Sequence, residues 1–214
     1  MSDFASEFSK YEFTPRQERL LEIQEDMRRT INDFALLFAQ TWHGFTLLSS
    51  HLESERLSLL AQLAEMLPSG EAEGHYKHVS QLLVPYKAPE DLAIAPAHGT
   101  LQSFRSDTAP NSHHIQTLGS SLLVALYHYW HHTWRPGIES AVGQEVLSDF
   151  WGDVCKLRNC ILHNKARADA NYEKRAKILK WFRDGDAIVI TSARFTTFIS
   201  QARDYCESFV VEFL

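Results

Sequence analysis

A nearly continuous apolar pattern between residues 115 and 134 constrains the fold of this chain more than any other stretch. Its apolar residues recur at spacings of three and four around almost the whole helix circumference: Leu118, Leu122, Leu123, Leu126, Tyr129, Trp130 and Trp134. A helix that is apolar all round has to be covered on every side. The pattern therefore predicts a central buried helix, with Trp130 and Trp134 as core residues rather than platforms for stacking bases.

Helical patterns also precede the central helix. Thr14 as N-cap and Pro15 at the first helical position begin a pattern that runs to about Phe38. A second pattern runs on to Leu67, either within the same helix or as a separate one. Residues 1–13 form a short, polar segment with several aromatic side chains, and are predicted to form a loose tail.

Residues 68–113 are the least regular part of the chain, because they are rich in proline and glycine. The sequence predicts an irregular insertion or loop here, within a single domain that spans 14–214. A loop of this length in a compact domain is often functional. It could border a site, contact a partner or simply connect two helices.

The C-terminal part again has helical periodicity, over about 138–164, over 166–182 and from Ser192 onward. Only 187–191 has the β-branched composition of a strand. The sequence as a whole therefore predicts an all-α bundle with an extra N-terminal helical region and one short strand near the C-terminus.

Composition places the chain among ordinary globular proteins, with 44% hydrophobic and 22% charged residues in 214. No apolar run approaches the roughly 18 residues that a membrane span requires. The three cysteines, Cys155, Cys160 and Cys206, are odd in number and lie within helical patterns. Together with a start that does not look like a signal peptide, they favour reduced thiols in a cytoplasmic protein with no membrane partner.

Positive charge is concentrated in one segment of an acidic chain. The net charge is −6, but residues 156–183 hold nine basic and two acidic side chains. Such a segment indicates a local polyanion site rather than a general nucleic-acid coat. A solvated helix face is the other interpretation of the same charges.

Within this segment, Asn159 and His163 lie on the side of a predicted helix away from its apolar face, and Arg158 lies about 100° from the centre of that face. A helical wheel groups the core-facing residues as Leu147, Phe150, Val154, Leu157 and Ile161. Arg158 and His163 are about 140° apart on an ideal helix. One helix is therefore expected to point the two side chains apart.

A second apolar stripe, formed by Trp151, Cys155 and Leu162, interleaves with these polar residues. A helix with two apolar faces buries both or exposes one to a partner. The simplest partner is a second copy of the chain, because two-fold pairing brings each patch onto its own counterpart. The stripe therefore predicts a homodimer in which two facing helices form one composite cleft.

The spacing of Arg158 and His163 is common by chance, and the specificity of the motif comes from Asn159 and from its place near a helix end. Arg158-Asn159-x-x-x-His163 resembles the signature of the HEPN superfamily, in which an Arg, often with a polar residue after it, precedes a His. The stretch 149–164 is typical of these domains, as is a preceding buried helix that ends in aromatic residues and Arg135. The resemblance covers about residues 115–214.

The resemblance implies a dimerising helical bundle and a metal-independent endoribonuclease without a cofactor. Arg158 would bind the scissile phosphate, His163 would transfer a proton, and Asn159 would orient His163 or contact the phosphate. It also suggests a toxin or defence effector controlled by a regulatory or antitoxin protein. The candidate RNA-binding residues are the polar and basic neighbours of the motif: Lys156, Asn164, Lys165 and Arg167.

Two alternatives stay open at this point. The same fold could serve as a non-catalytic module that binds nucleotides or RNA or directs assembly, with Arg158 and His163 in structural roles at a helix end. The chain could also be a metal-dependent enzyme, because His128, His131 and His132 are spaced so that one helix face could present all three to a metal.

Overall fold

The computed structural model describes residues 13–68, 70–80, 83–86, 97–109 and 111–213. All but one residue of the predicted tail lie outside these ranges. The described chain is dominated by helices, which confirms the all-α class. It divides into two compact units, one formed by 1–37 with 118–214 and the other by 38–117. A single domain over 14–214 stays a prediction.

Helix α1 begins in the first unit and ends in the second. It is one continuous helix over Pro15–Met66, where the sequence left one helix or two open. Its start is as predicted, because Thr14 Oγ1 accepts a hydrogen bond from the backbone N–H of Gln17 at 3.3 Å. In the part of the chain that is described, no helix has the length and apolar character needed to cross a membrane.

The second unit is more regular than the sequence predicted for 68–113. After α1 it contains two short helices and an antiparallel pair of strands, followed by the start of α4. The bounds are α2 Ala72–Ser80, β1 Leu83–Tyr86, β2 Ala97–Thr100, α3 Leu101–Asp107 and α4 His113–Tyr129. The side chain of Glu53 on α1 is paired with both Arg56 and Arg105.

The first unit contains most of α4 and the helices that follow it. These are a π-helical turn over Trp130–Trp134, α5 Arg135–Val142, α6 Asp149–His163, α7 Ala170–Arg175 and α8 Ser192–Phe213. Its core is built from α1, α4, α6 and α8. The buried side chains include Leu20, Met27, Ile31, Leu123, Leu126, Trp134, Val154, Leu157, Phe195 and Phe198. The predicted core role of Trp130 and Trp134 is confirmed.

A close approach between α4 and the chain before α8 depends on Gly119. A β-carbon on this residue would lie 2.9 Å from Cγ2 of Ile190 and 3.1 Å from its carbonyl oxygen. We expect Gly119→Ala to lower the free energy of unfolding by about 1–3 kcal/mol, because overpacking outweighs the better helix propensity of alanine. Urea denaturation of the purified variant measures the change.

Gly152 on α6 provides the matched control for this substitution. A β-carbon there meets only the Lys156 Nζ, at 3.9 Å. Gly152→Ala is therefore expected to raise the free energy of unfolding by roughly 0.5–1 kcal/mol. Equal stabilisation by the two alanines would show that Gly119 is not needed for close packing.

The predicted helix over 138–164 is in fact two helices. Gly143, with φ of 74°, ends α5 in the left-handed conformation that glycine adopts without strain. The Ser148 hydroxyl then caps α6 by accepting a hydrogen bond from the N–H of Trp151. Arg135-Pro136-Gly137 does not stop the preceding helix, because the π-helical turn runs directly into α5.

The predicted basic helix over 166–182 is wrong for most of its length. Only Ala170–Arg175 is helical, and Ala176 has an extended backbone with ψ of 131°. The N–H groups of the three residues that follow, 177–179, all donate to the carboxylate of Asp153. Those N–H groups are therefore not available to continue the helix.

The predicted strand at 187–191 is also wrong. The stretch makes a single isolated bridge, between Arg167 and Ala187. The N–H of Ile188 donates to the carbonyl of Ala166 at 2.7 Å, and the carbonyl of Val189 accepts from the Arg194 guanidinium. Within the described ranges, this β-branched stretch has no neighbouring strand to pair with, so it does not form a strand.

Candidate active site

Helix α6 carries the Arg-Asn-x-x-x-His motif, with Asn159 and His163 on the side facing away from Phe150, Val154 and Leu157. Phe150, Val154 and Leu157 are buried as the helical wheel predicts, whereas Leu147 lies before the helix and is 81% exposed. Asn159 and His163 are exposed and Arg158 is half-buried. The motif is therefore accessible and rests on a helix whose opposite face is held in the core.

The three motif side chains meet within one chain. Arg158 Nη1 donates to the Asn159 Oδ1 at 2.9 Å and lies 3.4 Å from the His163 Nε2. The expectation that one helix points Arg158 and His163 apart is wrong. The helical wheel gives directions of Cα–Cβ bonds, whereas the long stem of an arginine carries its guanidinium well beyond its own position on the helix.

A groove of about 260 Å³ lies beside this trio in the first unit. Its walls come from the end of α4, the π-helical turn and α6: Val124, Tyr127, His128, His131, His132, Cys155, Arg158 and Asn159. The groove joins two features that are separate in the sequence, the histidine cluster and the Arg-Asn pair. None of the eight lining residues is acidic.

The π-helical turn Trp130–Trp134 positions the histidines of this groove. The ring centroids of His128 and His132 are 4.4 Å apart, and those of His131 and His132 are 4.7 Å apart. The His131 ring also stacks on Tyr127, with 5.7 Å between centroids. Single π-helical turns occur mostly as insertions into α-helices and are frequent at functional sites.

His132 is the histidine whose ionisation is most affected by this arrangement. His132 is exposed, but the groups around it partly desolvate its imidazole and lower its pKa below the usual value, and the neighbouring His128, His131 and Arg158 lower it further. His132 is therefore mainly neutral near pH 7, with a ring nitrogen that is free to accept a proton.

A chain of polar contacts ties the end of α4 to α6 at the floor of the groove. The Asn159 amide lies 3.8 Å from the Cys155 Sγ. Burial and a hydrogen bond with Cys155 raise the pKa of Tyr127 to about 12. The Tyr127 phenol therefore stays protonated at neutral pH and can only donate or accept hydrogen bonds there.

The predicted dimer stripe does not form a continuous surface. Trp151 is 1% exposed and stacks on Trp130, with ring centroids 5.1 Å apart and an interplanar angle of 6°. The prediction that Trp151 contacts a second copy is therefore wrong, because other residues of the same chain already cover its side chain. Cys155 is half-buried in the groove, and only Leu162, at 48% exposure, is freely accessible.

Among the predicted RNA-binding residues, Lys156 is already paired within the chain. Its Nζ lies 2.9 Å from the Oδ1 of Asp153, a carboxylate with no solvent exposure. Burial alone would raise the pKa of Asp153. The hydrogen bonds from Ile178, Lys156, Leu179 and Lys177 outweigh that effect and hold its pKa below the usual value.

The other three predicted RNA-binding residues form an exposed turn after α6. The Asn164 amide donates to the carbonyl of Arg167 at 2.8 Å, and the Arg167 guanidinium donates to the carbonyl of Gly185 at 2.9 Å. Lys165 and Ala166 have positive φ values of 52° and 53°, which are unusual outside glycine. The turn is thus closely defined, and Lys165, which follows His163 and Asn164 in the chain, is exposed in it.

The histidine cluster does not match the metal-dependent alternative. In the ranges that the structure describes, no three His, Cys, Asp or Glu side chains are arranged so that they could hold a metal ion. The spacing of His128, His131 and His132 suits one face of an α-helix, but the π-helical turn changes the register between them.

Two features of the site were missed from the sequence. Asp153 lies one helical turn before Leu157 on the buried face of α6, and an acidic residue at such a position is itself a signal of a buried polar network. The histidine cluster was recognised, but nothing in its spacing indicated that it would share a groove with Arg158.

Comparison with known proteins identifies no relative of this chain that bears on the site. No protein-family model, curated protein or solved structure matches this chain.

Proposed function

We propose that the protein is an endoribonuclease that cleaves RNA by attack of a 2′-hydroxyl on the adjacent phosphate, without a metal cofactor. The observation that carries the proposal is the 3.4 Å approach of Arg158 Nη1 to His163 Nε2 on an exposed helix face. A guanidinium and an imidazole at this separation can contact two oxygens of one phosphodiester at the same time.

Arg158 is proposed to bind the scissile phosphate. A guanidinium presents a planar set of N–H donors, and its charge stabilises the extra negative charge that develops on the phosphate oxygens in the transition state. Asn159 accepts a hydrogen bond from the Arg158 Nη1 at 2.9 Å, which leaves the remaining N–H groups of the guanidinium for the substrate. Asn159 is thus a positioning residue in this proposal.

His163 is proposed to transfer a proton during cleavage, since an imidazole gains and loses protons near neutral pH. The bond between the 2′-oxygen and phosphorus forms as the bond to the 5′-oxygen breaks. The products are a 2′,3′-cyclic phosphate and a 5′-hydroxyl. DNA lacks the 2′-hydroxyl and is not a substrate for this reaction.

Basic residues outside the motif are proposed to hold the RNA backbone. Lys165 is exposed next to His163, and the segment 156–183 is strongly positive in an otherwise acidic chain. Arg167, Asn164 and Lys156 have internal partners, so their contacts with RNA would add to, or exchange with, those bonds. We further propose that the protein forms a homodimer. We also propose that it is a toxin or defence effector controlled by a regulatory or antitoxin protein.

Cleavage of mixed RNA by the purified protein in EDTA tests the proposal. We expect the wild-type protein to produce cyclic-phosphate ends, and Arg158→Ala and His163→Ala each to reduce the rate by at least about 100-fold, because each removes a group needed in the transition state. Arg29→Ala and His43→Ala, at exposed positions outside the groove, are the matched controls and should cleave at the wild-type rate.

The outcomes separate the alternatives. Cleavage that is abolished by EDTA and restored by a divalent metal would contradict the metal-independent reaction. RNA that is bound with a salt-dependent affinity but never cut would favour the non-catalytic binding module. The stacked rings of Tyr127 and His131 are the observation that supports this second candidate, since aromatic surfaces bind unpaired bases.

A further inference from the structure

A single imidazole cannot complete the proposed reaction in one step. The 2′-hydroxyl must lose a proton while the 5′-oxygen gains one, so two proton-transfer groups have to flank the phosphate. His163 accounts for one of them. Three further histidines line the groove beside Arg158, namely His128, His131 and His132. The His132 ring, from the π-helical turn, lies against both others, with centroids 4.4 Å from His128 and 4.7 Å from His131, and the charge of Arg158 acts on it.

We infer that His132 is a second catalytic residue, and that one chain therefore holds both imidazoles of the reaction, with His132 and His163 on either side of a phosphate bound by Arg158. This inference rests on the proposed function. It depends on the π-helical turn, which brings His132 into the same groove as Arg158 and Asn159.

The surroundings of His132 favour the role of general base. Within the groove it is faced by positive or neutral groups from all three elements that form the walls: Tyr127, His128, His131, Cys155 and Arg158. Desolvation by the surrounding groups and the charges of these neighbours lower the pKa of His132, so its imidazole is neutral at the pH at which it must accept a proton. A base with a lowered pKa also keeps working in mildly acidic solution.

The step balances without any further reactant. A neutral nitrogen of His132 takes the proton from the 2′-hydroxyl, and the 2′-oxygen forms its bond to phosphorus. The bond between phosphorus and the 5′-oxygen breaks, and the 5′-oxygen receives a proton from the protonated His163. The enzyme is left with His132 protonated and His163 neutral, and exchange with water restores both.

The pH dependence of RNA cleavage by the full-length protein tests the inference. Between about pH 5 and 9, wild-type kcat/KM should fall on the acidic side as His132 becomes protonated. His132→Ala should lose about 10²–10⁴-fold in kcat and lose that acidic limb of the profile. Added imidazole should restore part of the rate in His132→Ala, because a free base can occupy the space of the missing ring. A purely structural role for His132 would not produce that rescue.

A phosphate titration provides a readout that does not need cleavage. In protein labelled with ¹³C in its histidine rings, inorganic phosphate should raise the pKa of His132, since a nearby anion favours the protonated ring. The same titration of Arg158→Gln should leave His132 unchanged. The exposed His43, outside the groove, is the internal control in both samples.

The possible failures are distinguishable. If the wild-type protein cleaves RNA and His132→Ala cleaves it with the same rate and pH profile, the inference is overturned and the proposed function stands. If His132 does not respond to phosphate while cleavage still depends on Arg158 and His163, the inference is again overturned. If the wild-type protein does not cleave RNA, the proposed function fails and the inference fails with it.

Discussion

Replacing Asp153 with alanine is expected to lower the free energy of unfolding by about 3–5 kcal/mol. Its buried carboxylate accepts hydrogen bonds from the N–H groups of Lys177 at 2.8 Å, Ile178 at 2.6 Å and Leu179 at 3.0 Å, and pairs with Lys156. Alanine would leave these donors without a partner at a position with no solvent exposure. Each unsatisfied buried donor costs about 1–3 kcal/mol, partly relieved by local rearrangement.

Asp149 is the matched control for this substitution, because it lies on the same helix and also pairs with a lysine. Its carboxylate is 57% exposed and contacts the Lys177 Nζ at 2.7 Å. Asp149→Ala should cost no more than about 1 kcal/mol, as is usual for exposed ion pairs. Urea denaturation measures both variants. Similar small losses for Asp149→Ala and Asp153→Ala would contradict the structural role of Asp153.

The lowered pKa of Asp153 also sets the direction of a pH effect. An unfolded aspartate titrates at about pH 3.9, so the unfolded chain binds this proton before the folded one does. The contribution of Asp153 to stability is complete above that pH and is lost as the pH falls through its lower folded-state value. Asp153→Asn should therefore lose less stability than the wild-type protein between neutral and strongly acidic pH.

Trp151→Ala is expected to lower the free energy of unfolding by about 3–5 kcal/mol, as for other large buried aromatic residues. The indole is 1% exposed and packs against Trp130, Phe150 and Tyr205. Truncation would remove these contacts and leave a cavity in the first unit. Thermal and urea denaturation measure the loss.

Two further variants separate core packing from a dimer contact. Trp151→Phe should cost less than about 1.5 kcal/mol, because a ring is kept and the indole N–H has no partner in the described part of the chain. Leu162→Ala, at a residue that is 48% exposed, should change stability by less than about 0.5 kcal/mol. Dissociation of a dimer by Trp151→Ala, with no loss of stability, would instead support the predicted interface.

Most of the helical architecture could be predicted from local patterns. Apolar spacing identified α8, and Thr14-Pro15 marked the start of α1. The predictions were wrong where a long-range contact decides the conformation of the backbone. Asp153 accepts hydrogen bonds from the N–H groups of 177–179, which are therefore not part of a helix. In the part of the chain that the structure describes, no strand pairs with 187–191 beyond one bridge.

The candidate site divides in the same way. The residue types of the motif and their place near the end of a helix could be read from the sequence, since both depend on spacing along one element. The 3.4 Å approach of Arg158 to His163 could not, because it depends on how a flexible side chain lies on the helix surface. Because the two side chains meet within one chain, a second copy is not needed to bring Arg158 and His163 together.

Local spacing alone therefore determined the all-α class, the buried residues of the central helix and the Arg158-Asn159-x-x-x-His163 motif, because helical periodicity sets which side chains share a face. The helix is not covered on every side as predicted, since Tyr129 is 39% exposed. Only the tertiary structure decided that α6 is also covered on the side of Trp151, and what lies beside the motif. Trp151 is buried by Trp130, and a π-helical turn brings His132 into the groove of Arg158. Both depend on packing between elements distant in the chain, which periodicity within one helix does not encode.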